Sequence, residues 1–250
     1  MIRKRGELVV AKDAEALARA LAERIVAAAQ EAHERHGRFD VALAGGSTPK
    51  AAYELLAASP LRDRVDWRAV RFFFGDERCV PPGDDASNFK MAKGTLGGVM
   101  TDSGADVFRM RGEDEPQAAA RAYADVLREE LGSDPAFDLV LLGMGLDGHT
   151  ASLFPGADPR ADDAALVRAP FVTHLNAYRL TLTPRALCGG RSVIVAIAGS
   201  AKADTLRAVI QADPEDLERY PIEVLKSCPG RLTWLIDRSA AAKLPANPAN

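Results

Sequence analysis

Hydrophobic positions along the chain fall into two kinds of pattern that follow one another. Short, continuous apolar runs occur at Val41–Ala44, Val70–Phe74, Asp138–Leu142, Ser192–Ala198 and Leu232–Ile236. Apolar residues at the helical spacing i, i+3, i+4 occur in Ala14–Ala32, Pro49–Ala58, Pro116–Leu131 and Ala201–Gln211. Continuous apolar strands separated by helices are typical of a parallel sheet that is covered on both faces. The pattern predicts an α/β fold with a mostly parallel sheet and helices on both faces.

The boundaries of these elements are also marked in the sequence. Asp13 is a suitable N-cap for the first helix and Gly37 a suitable stop. The segment Pro81–Arg111 has the weakest pattern and is predicted to be an excursion with short elements. Because no linker rich in Gly, Ser or Pro divides the chain, we expect one domain over residues 1–250. The Ala/Pro/Asn-rich tail after Ala240 is expected to be loosely ordered.

Composition and charge exclude several classes of protein. Hydrophobic residues make up 47% and charged residues 27% of the 250 positions, which fits a globular chain with a sizeable core. The formal net charge is −3, whereas proteins that bind nucleic acid or an anionic membrane typically carry an excess of positive charge. The apolar runs are too short to span a bilayer. We therefore expect neither a nucleic-acid nor a membrane partner.

The cysteines Cys79, Cys188 and Cys228 are few and widely spaced. An odd number without a C-x-x-C motif argues against a disulfide scaffold and against a cysteine-rich metal site. A reducing cytoplasm is then the expected location.

Polar clusters follow directly after four of the predicted strands. These clusters are Gly45–Lys50, Gly75–Arg78, Gly143–Thr150 and Gly199–Lys202. Ligands of open parallel sheets bind beyond the carboxyl ends of the strands, so four parallel strands would bring these clusters to one edge. Together they supply two Gly-rich turns, basic side chains, carboxylates and a histidine. Such a set suits a pocket for a small, polyhydroxylated anion.

The Gly45–Lys50 turn has features of a phosphate site. Its glycines, including Gly46, allow a close approach of ligand, and Ser47 and Thr48 supply hydroxyl groups at a helix start where free N–H groups attract anions. The alternative is an ordinary strand-to-helix turn in which Thr48 caps the helix.

His149 is the candidate catalytic residue. It lies two positions from Asp147, which can orient the imidazole for work as a general base. The surrounding turn matches G-x-G-x-x-G, but Pro155 follows too soon for the long helix of a dinucleotide-binding fingerprint. His174 has no motif around it and is expected at the surface.

The basic residues Arg78 and Lys202 are candidate ligands for the anion. Arg78 can hold a phosphate with two hydrogen bonds while Asp76 holds sugar hydroxyls, although Asp76–Arg78 can equally be a solvated charge cluster. Lys202 stands in the first turn of a helix, where a bound anion offsets the unfavourable dipole. No signature of a nucleophilic serine or cysteine is present.

Five motifs in order resemble the 6-phosphogluconolactonases. They are ALAGGSTPKAAYELL (Ala42–Leu56), FFFGDERCVPPGDDASNFKMA (Phe72–Ala92), DLVLLGMGLDGHTASLFPG (Asp138–Gly156), YRLTLTPRAL (Tyr178–Leu187) and AGSAKADTL (Ala198–Leu206). The resemblance implies a modified Rossmann-like fold and hydrolysis of 6-phospho-D-glucono-1,5-lactone in the oxidative pentose phosphate pathway, without metal or organic cofactor. It also implies that Asn88 and Arg179 line the pocket. Arg179 begins its strand, so it reaches the active edge only if that strand runs antiparallel.

Two other functions remain open at this point. The related glucosamine-6-phosphate deaminases have Asp-Glu-Tyr where this chain has Asp76-Glu77-Arg78, and they continue Asp-Gly-His with a segment unlike Thr150–Pro155. A non-catalytic sugar-phosphate sensor on the same fold is the second alternative. We expect a small-molecule substrate and a monomer or weak homodimer. If His149 is not the base, Asp76 and Glu77 are the next candidates.

Overall fold

The computed structural model describes residues 6–161, 164–212 and 215–245. The strands are β1 (Glu7–Ala11), β2 (Phe39–Leu43), β3 (Val70–Phe74), β4 (Asp76–Arg78), β5 (Asp106–Val107), β6 (Leu139–Leu142), β7 (Val167–Arg168), β8 (Phe171–Val172), β9 (Ala177–Leu182), β10 (Ser192–Ile197) and β11 (Arg231–Asp237). The α-helices are α1 (Ala14–His36), α2 (Ser47–Leu56), α3 (Asn88–Leu96), α4 (Gly98–Thr101), α5 (Pro116–Leu131), α6 (Pro184–Cys188) and α7 (Ala203–Gln211). Short 3-10 helices are Arg62–Arg64, Trp67–Ala69, Thr173–Leu175, Ser200–Lys202, Pro221–Ser227 and Ala240–Lys243.

The described residues form a parallel sheet of seven strands in the order β1-β11-β10-β6-β2-β3-β5. Strands β2 and β6 are buried along their whole length, and β11 is buried after its first residue. A strand that is covered on both faces needs apolar residues at every position, which explains the continuous runs in the sequence. All five predicted strands lie in this sheet, so the predicted α/β class with a mostly parallel sheet is confirmed.

Helix α1 begins and ends at the predicted residues. The side chain of Asp13 accepts a hydrogen bond from Ala16 N at 2.8 Å, which satisfies one of the free N–H groups of the first turn. Gly37 has a φ of +79°, a left-handed conformation that favours glycine and ends the helix. One face of the helix, including Leu17 and Leu21, is buried in the core.

A second, smaller sheet lies beside the first. Strand β9 pairs antiparallel with β4, β7 and β8. Within the β4–β9 pair, Asp76 lies opposite Thr181 and Arg78 lies opposite Arg179. Arg179 was expected to reach the edge where the parallel strands end only if β9 runs antiparallel, and β9 does run antiparallel to β4. The short, polar strand β4 carries no hydrophobic pattern, so the sequence did not predict it as a strand.

Charged side chains cover the opposite edge of the large sheet, where its strands begin. Asp40 Oδ1 accepts from Arg71 Nε at 2.6 Å, and Asp138 accepts from Arg35 Nη2 at 2.5 Å and from Asp40 N at 2.9 Å. Asp40 and Asp138 are both buried. Buried carboxylates are stable only when they are paired in this way. These ion pairs therefore stabilise the fold, and they lie at the opposite end of the strands from the predicted site.

Cys188, at the end of α6, and Cys228, directly after the 3-10 helix Pro221–Ser227, form a disulfide with a Cα–Cα distance of 4.7 Å. Cys79 is a free thiol. An odd number of cysteines is compatible with one pair and one free thiol, so the expectation against disulfides was wrong for this pair. The cysteines therefore no longer support a reducing compartment.

The remaining expectations concern the excursion and the tail. Residues 81–111 contain the short elements α3, α4 and β5, as predicted. The tail is ordered further than expected, because Ala240 is buried and Lys243 Nζ lies 2.5 Å from Asp204 Oδ2. Residues 246–250, on which the rest of that prediction falls, lie outside the described residues. None of the helices in the described ranges is long and apolar enough to cross a membrane.

Candidate active site

A cavity of about 730 Å³ opens at the carboxyl ends of β2, β3, β6 and β10. Every predicted site residue lines it: Gly46, Ser47, Thr48, Asp76, Arg78, Asn88, Asp147, His149, Arg179 and Lys202. Most of them come from the turns that follow parallel strands, as the position of ligand sites in such sheets predicts. Arg179 comes from β9 of the smaller sheet.

The turn between β2 and α2 forms one wall of the cavity. Gly46, the N-cap of α2, has a φ of +100° and provides no capping side chain, while Ser47 and Thr48 begin the helix. The buried hydroxyl of Tyr53 anchors the turn, because it lies 3.1 Å from both Ala44 N and Ala44 O. A Cβ atom at Gly45 would lie 2.0 Å from Asn88 Oδ1, so this close approach requires glycine.

Asp76 is held at the cavity wall by two side chains. Asn88 Nδ2 donates to Asp76 Oδ1 at 3.1 Å, and Ser152 Oγ donates to Asp76 Oδ2 at 2.7 Å. Asn88 is itself buried at the start of α3. The carboxylate is therefore fixed in orientation, and it can accept a hydrogen bond from a hydroxyl of a bound ligand.

Glu77 points away from the cavity into the protein. Its carboxylate accepts hydrogen bonds from Arg78 N, Asn88 N, Phe89 N and Ser87 Oγ, at 2.7 to 3.0 Å. Burial raises the pKa of the Glu77 carboxyl despite these four hydrogen bonds. Because Glu77 joins β4 to α3 and does not line the cavity, it is not a candidate base, contrary to the expectation from sequence.

The loop Gly143–Thr150, which follows β6, carries Asp147 and His149; we refer to it as the His149 loop. Asp147 Oδ1 lies 2.6 Å from His149 Nδ1 and also accepts from His149 N at 3.2 Å. Burial raises the pKa of the Asp147 carboxyl, but the hydrogen bonds and charge of His149 outweigh it, so the pKa lies below its usual range. With Nδ1 held by a carboxylate, Nε2 is the ring nitrogen that can act on a ligand.

Backbone contacts give the His149 loop its tight shape. Gly145 N donates to His149 O at 2.9 Å, and Thr150 Oγ1 donates to Gly143 O at 2.8 Å. A Cβ atom at Gly145 would lie 2.1 Å from His149 Nδ1. The glycine therefore leaves the space in which the imidazole reaches Asp147.

Aromatic rings complete the wall beside His149. The ring of Phe154 lies 4.5 Å from the His149 ring and 5.3 Å from the His174 ring, between ring centroids. His174 is exposed, as expected, but it also lines the cavity. No motif in the sequence indicated this position, because the 3-10 helix Thr173–Leu175 between β8 and β9 is what brings His174 to the site.

Among the residues that the structure describes, three basic side chains line the cavity: Arg78, Arg179 and Lys202. Burial lowers the pKa of the Arg179 guanidinium, and the charge of Arg78 on the neighbouring strand lowers it further. Burial also lowers the pKa of the Lys202 ammonium, while the charge of Asp237 opposes this shift. Asp237 in turn accepts from Gly199 N at 3.1 Å and so fixes the turn before Lys202. Cations that lose hydration on folding are well suited to bind a dianion such as phosphate.

The described residues contain no group of three or more His, Cys, Asp or Glu side chains placed to share a metal ion. What the cavity does bring together is a carboxylate-held imidazole, a fixed second carboxylate, hydroxyl groups and three cations. This arrangement can bind a phosphorylated, hydroxylated molecule and move a proton beside it.

Comparison with known proteins identifies the family. The sequence profile described as "Glucosamine-6-phosphate isomerases/6-phosphogluconolactonase" matches residues 12–234, which is most of the chain. The chain belongs to this family. Its relatives include the 6-phosphogluconolactonase of Haemophilus influenzae, 32% identical over 82% of this chain and 87% of that protein. The 6-phosphogluconolactonase of Streptomyces coelicolor is 32% identical over 96% of this chain and 95% of that protein.

Solved structures of the family share the fold. The 6-phosphogluconolactonase of Trypanosoma brucei matches with a TM-score of 0.81 and 30% identity, covering 96% of this chain and 98% of that one. A monomeric glucosamine-6-phosphate deaminase matches with a TM-score of 0.80 but only 19% identity, covering 95% of this chain and 99% of that one. The second match shows the fold alone. The family resemblance and the Rossmann-like fold expected from the motifs are thus confirmed.

Proposed function

We propose that this chain hydrolyses 6-phospho-D-glucono-1,5-lactone to 6-phospho-D-gluconate, the second step of the oxidative pentose phosphate pathway. The observation that carries the proposal is the Asp147–His149 pair, with its 2.6 Å contact, in the same cavity as Arg78, Arg179 and Lys202. The curated relatives named above, which span most of this chain, support the same activity. The chain is accordingly a hydrolase.

In the proposed mechanism, His149 is the general base. Its Nε2 accepts a proton from a water molecule whose oxygen attacks C1 of the lactone, while Asp147 holds the imidazole through Nδ1 and stabilises the resulting cation. The tetrahedral intermediate collapses with cleavage of the bond between C1 and the ring oxygen, and the ring oxygen takes up the proton that His149 Nε2 holds, which returns the imidazole to its neutral form. The new carboxyl group at C1 then loses its proton to solvent. A cyclic ester needs little further activation, so no cofactor or metal enters the scheme.

The remaining cavity residues bind and orient the substrate. Arg78, Arg179 and Lys202 hold the 6-phosphate, together with the N–H and hydroxyl groups that Gly46, Ser47 and Thr48 present at the start of α2. Backbone N–H groups of the Gly-rich turns stabilise the oxyanion that develops at C1.

Asp76 accepts hydrogen bonds from sugar hydroxyls in this scheme, and Asn88 keeps that carboxylate in place through its 3.1 Å hydrogen bond. Fixing the phosphate at one end of the substrate and the hydroxyls along it places C1 beside the base.

The decisive experiment is an assay of the purified protein on freshly prepared 6-phosphogluconolactone, with spontaneous hydrolysis subtracted. Glucosamine 6-phosphate is the matched alternative substrate, and unphosphorylated gluconolactone tests the role of the phosphate. We expect rapid hydrolysis of the phosphorylated lactone and poor hydrolysis of the unphosphorylated one. Turnover of glucosamine 6-phosphate instead would assign a deaminase, and binding without turnover would assign a sugar-phosphate sensor.

Several sequence-based expectations stay predictions beside this proposal. They are a single working domain over residues 1–250, a monomer or weak homodimer, a cytoplasmic location, and activity without nucleic acid, membrane, metal or organic cofactor.

A further inference from the structure

A buried ion pair lies outside the candidate active site and has no part in the proposed chemistry. Lys226 Nζ is 3.1 Å from Glu223 Oε1, and the two side chains are 1% and 0% exposed. Both residues belong to the 3-10 helix Pro221–Ser227, within residues 215–228, which we call the buttress segment. Removing two charges from water has a large free-energy cost, so the further contacts of this pair indicate what it is for.

The ion pair joins the buttress segment to helix α7. Lys226 Nζ donates a second hydrogen bond to Val209 O, which belongs to α7. Glu223 Oε2 accepts from Asp216 N at 2.6 Å, near the beginning of the buttress segment. Lys226 thus fixes the end of the segment to α7, and Glu223 fixes the beginning of the segment to Lys226.

The buttress segment contacts the chain on both sides of His149. Before His149, Ile222 N donates to Gly148 O at 3.1 Å, and a Cβ atom at Gly148 would lie 2.6 Å from Tyr220 Cδ1. After it, Gly156 N donates to Glu218 O at 2.8 Å. A displacement of the segment would therefore move the backbone that carries His149.

Helix α7 contacts the same loop from its other end. Thr205 Oγ1, in the first turn of α7, donates to Leu146 O at 2.6 Å. Lys202 lies directly before α7, as its N-cap residue. The His149 loop, α7 and the buttress segment thus form a closed circuit of hydrogen bonds, which the Glu223–Lys226 pair completes.

We propose that Glu223 and Lys226 are positioning residues, which hold the His149 loop in register with Lys202 by tying the buttress segment to α7. They act through the backbone of Gly148 and Gly156 and do not touch the substrate. The kinetic consequence rests on the proposed function, whereas the structural consequence rests only on the backbone contacts. Replacing both partners of a buried ion pair by uncharged residues often leaves the free energy of unfolding unchanged. An effect of the pair on the position of the His149 loop can therefore be measured separately from an effect on stability.

The test uses the double variant Glu223→Gln/Lys226→Met in the full chain. Glutamine keeps an acceptor for Asp216 N, methionine keeps the length of the lysine stem, and no charge is left unpaired, but the hydrogen bond to Val209 O is lost. We expect kcat for the phosphorylated lactone to fall by about tenfold to a hundredfold, because small misplacements of a catalytic group have effects of this size. The change in KM should be smaller, because Arg78 and Arg179 belong to the smaller sheet.

Amide hydrogen exchange without substrate gives an independent measurement. The amides of Ile222 and Gly156 should exchange faster in the double variant, while those of β6 should exchange as in the wild type. This measurement tests the hydrogen-bonded circuit even if the wild-type protein does not hydrolyse the lactone, an outcome that would refute only the proposed function.

The matched control is Asp40→Asn/Arg71→Met, which removes the buried Asp40–Arg71 ion pair at the opposite edge of the sheet, together with the contact between Arg71 and Glu130. It should lower stability and leave kcat unchanged. Should the double variant fail to fold, Thr205→Val cuts the same circuit at Leu146 O and should also lower kcat. The proposal would be overturned by a wild-type kcat in the folded Glu223→Gln/Lys226→Met variant or, should that variant not fold, in Thr205→Val. An equal loss of kcat in the Asp40→Asn/Arg71→Met control would also overturn it.

Discussion

Opening the Cys188–Cys228 disulfide is expected to destabilise the protein by about 4 kcal/mol at 25 °C. The perturbation is either a strong thiol reductant or the double variant Cys188→Ala/Cys228→Ala. Both cysteines are partly exposed, so a reductant can reach the bond. Cys79, which is a free thiol, contributes nothing to this cross-link.

The magnitude follows from the length of chain that the disulfide closes. The two cysteines are 40 positions apart, and the chain between them contains β10, from the middle of the large sheet, and α7. In the chain-entropy account, a cross-link over a loop of this length lowers the conformational entropy of the unfolded chain by an amount worth about 4 kcal/mol. The native contacts of β10 and α7 remain, so the effect lies mainly in the unfolded state.

The assay is urea unfolding followed by tryptophan fluorescence, with and without reductant. For an m-value of about 2.5 kcal/mol per M, the unfolding midpoint should fall by roughly 1.5 M. Thiol titration of the unfolded protein should find one reactive thiol before reduction and three afterwards. The variant Cys79→Ser should show the same drop in midpoint on reduction as the wild type does.

Two results would refute this reasoning. Three reactive thiols in the unreduced protein would mean that the disulfide is not formed. One thiol before reduction and three afterwards, with an unchanged midpoint, would mean that the cross-link does not constrain the unfolded chain.

Three further predictions concern the site. His149→Ala should lower kcat by about 10²–10⁴-fold with little change in substrate affinity, whereas near-normal kcat would move the base to Asp76. Because the pKa of Asp147 is lowered, any stability that its carboxylate contributes is fully present above its usual pKa and is lost progressively as pH falls through the lowered one. The loss of kcat/KM at acid pH that the wild type shows should be absent from the profile of His149→Ala. Glu77→Gln should lower the free energy of unfolding by about 1–3 kcal/mol in urea titrations, since an amide cannot accept all four hydrogen bonds, and no change would contradict the buried geometry.

The parts of the fold that sequence predicted well are those buried on both faces or along a continuous stripe. The predicted bounds of β3 and α5 agree with the structure at every residue. Strand β3 is a buried apolar run that only Arg71 interrupts, and α5 begins at Pro116 and ends before its C-cap Gly132. Strand β1 was missed because it lies at the sheet edge and is only partly buried. Strand β4 was missed because it is short and polar, whereas the strand that carries Arg179 was expected and only its direction was left open.

The site was predictable to the extent that it follows strand ends and family motifs. Both sources led to residues that line the cavity, including Arg179, whose placement depended on strand direction. His174 and the Glu223–Lys226 pair were missed for a common physical reason. The fold brings His174 to Phe154 and Lys226 Nζ to Val209 O, and neither spacing nor composition records such contacts between separate elements. The orientation of Glu77 was likewise decided by backbone N–H groups of α3, which no pattern of side chains reveals.

Arg78 and Arg179 lie opposite each other on neighbouring strands, and under the proposed function this pair makes activity and thermostability compete. Like charges directly opposite each other on neighbouring strands weaken the pairing, so the β4–β9 ladder is less stable than it would be with a neutral or acidic partner. Under the proposed function, a phosphate dianion reverses this repulsion, so inorganic phosphate should raise the melting temperature. Selection of variants for heat resistance alone would favour replacement of either arginine, and the resulting proteins would have a higher melting temperature and a lower catalytic activity. To gain thermostability without losing activity, the β4–β9 pair should be kept unchanged, and stabilising substitutions should be made at the edge with Asp40 and Asp138, where the strands of the large sheet begin.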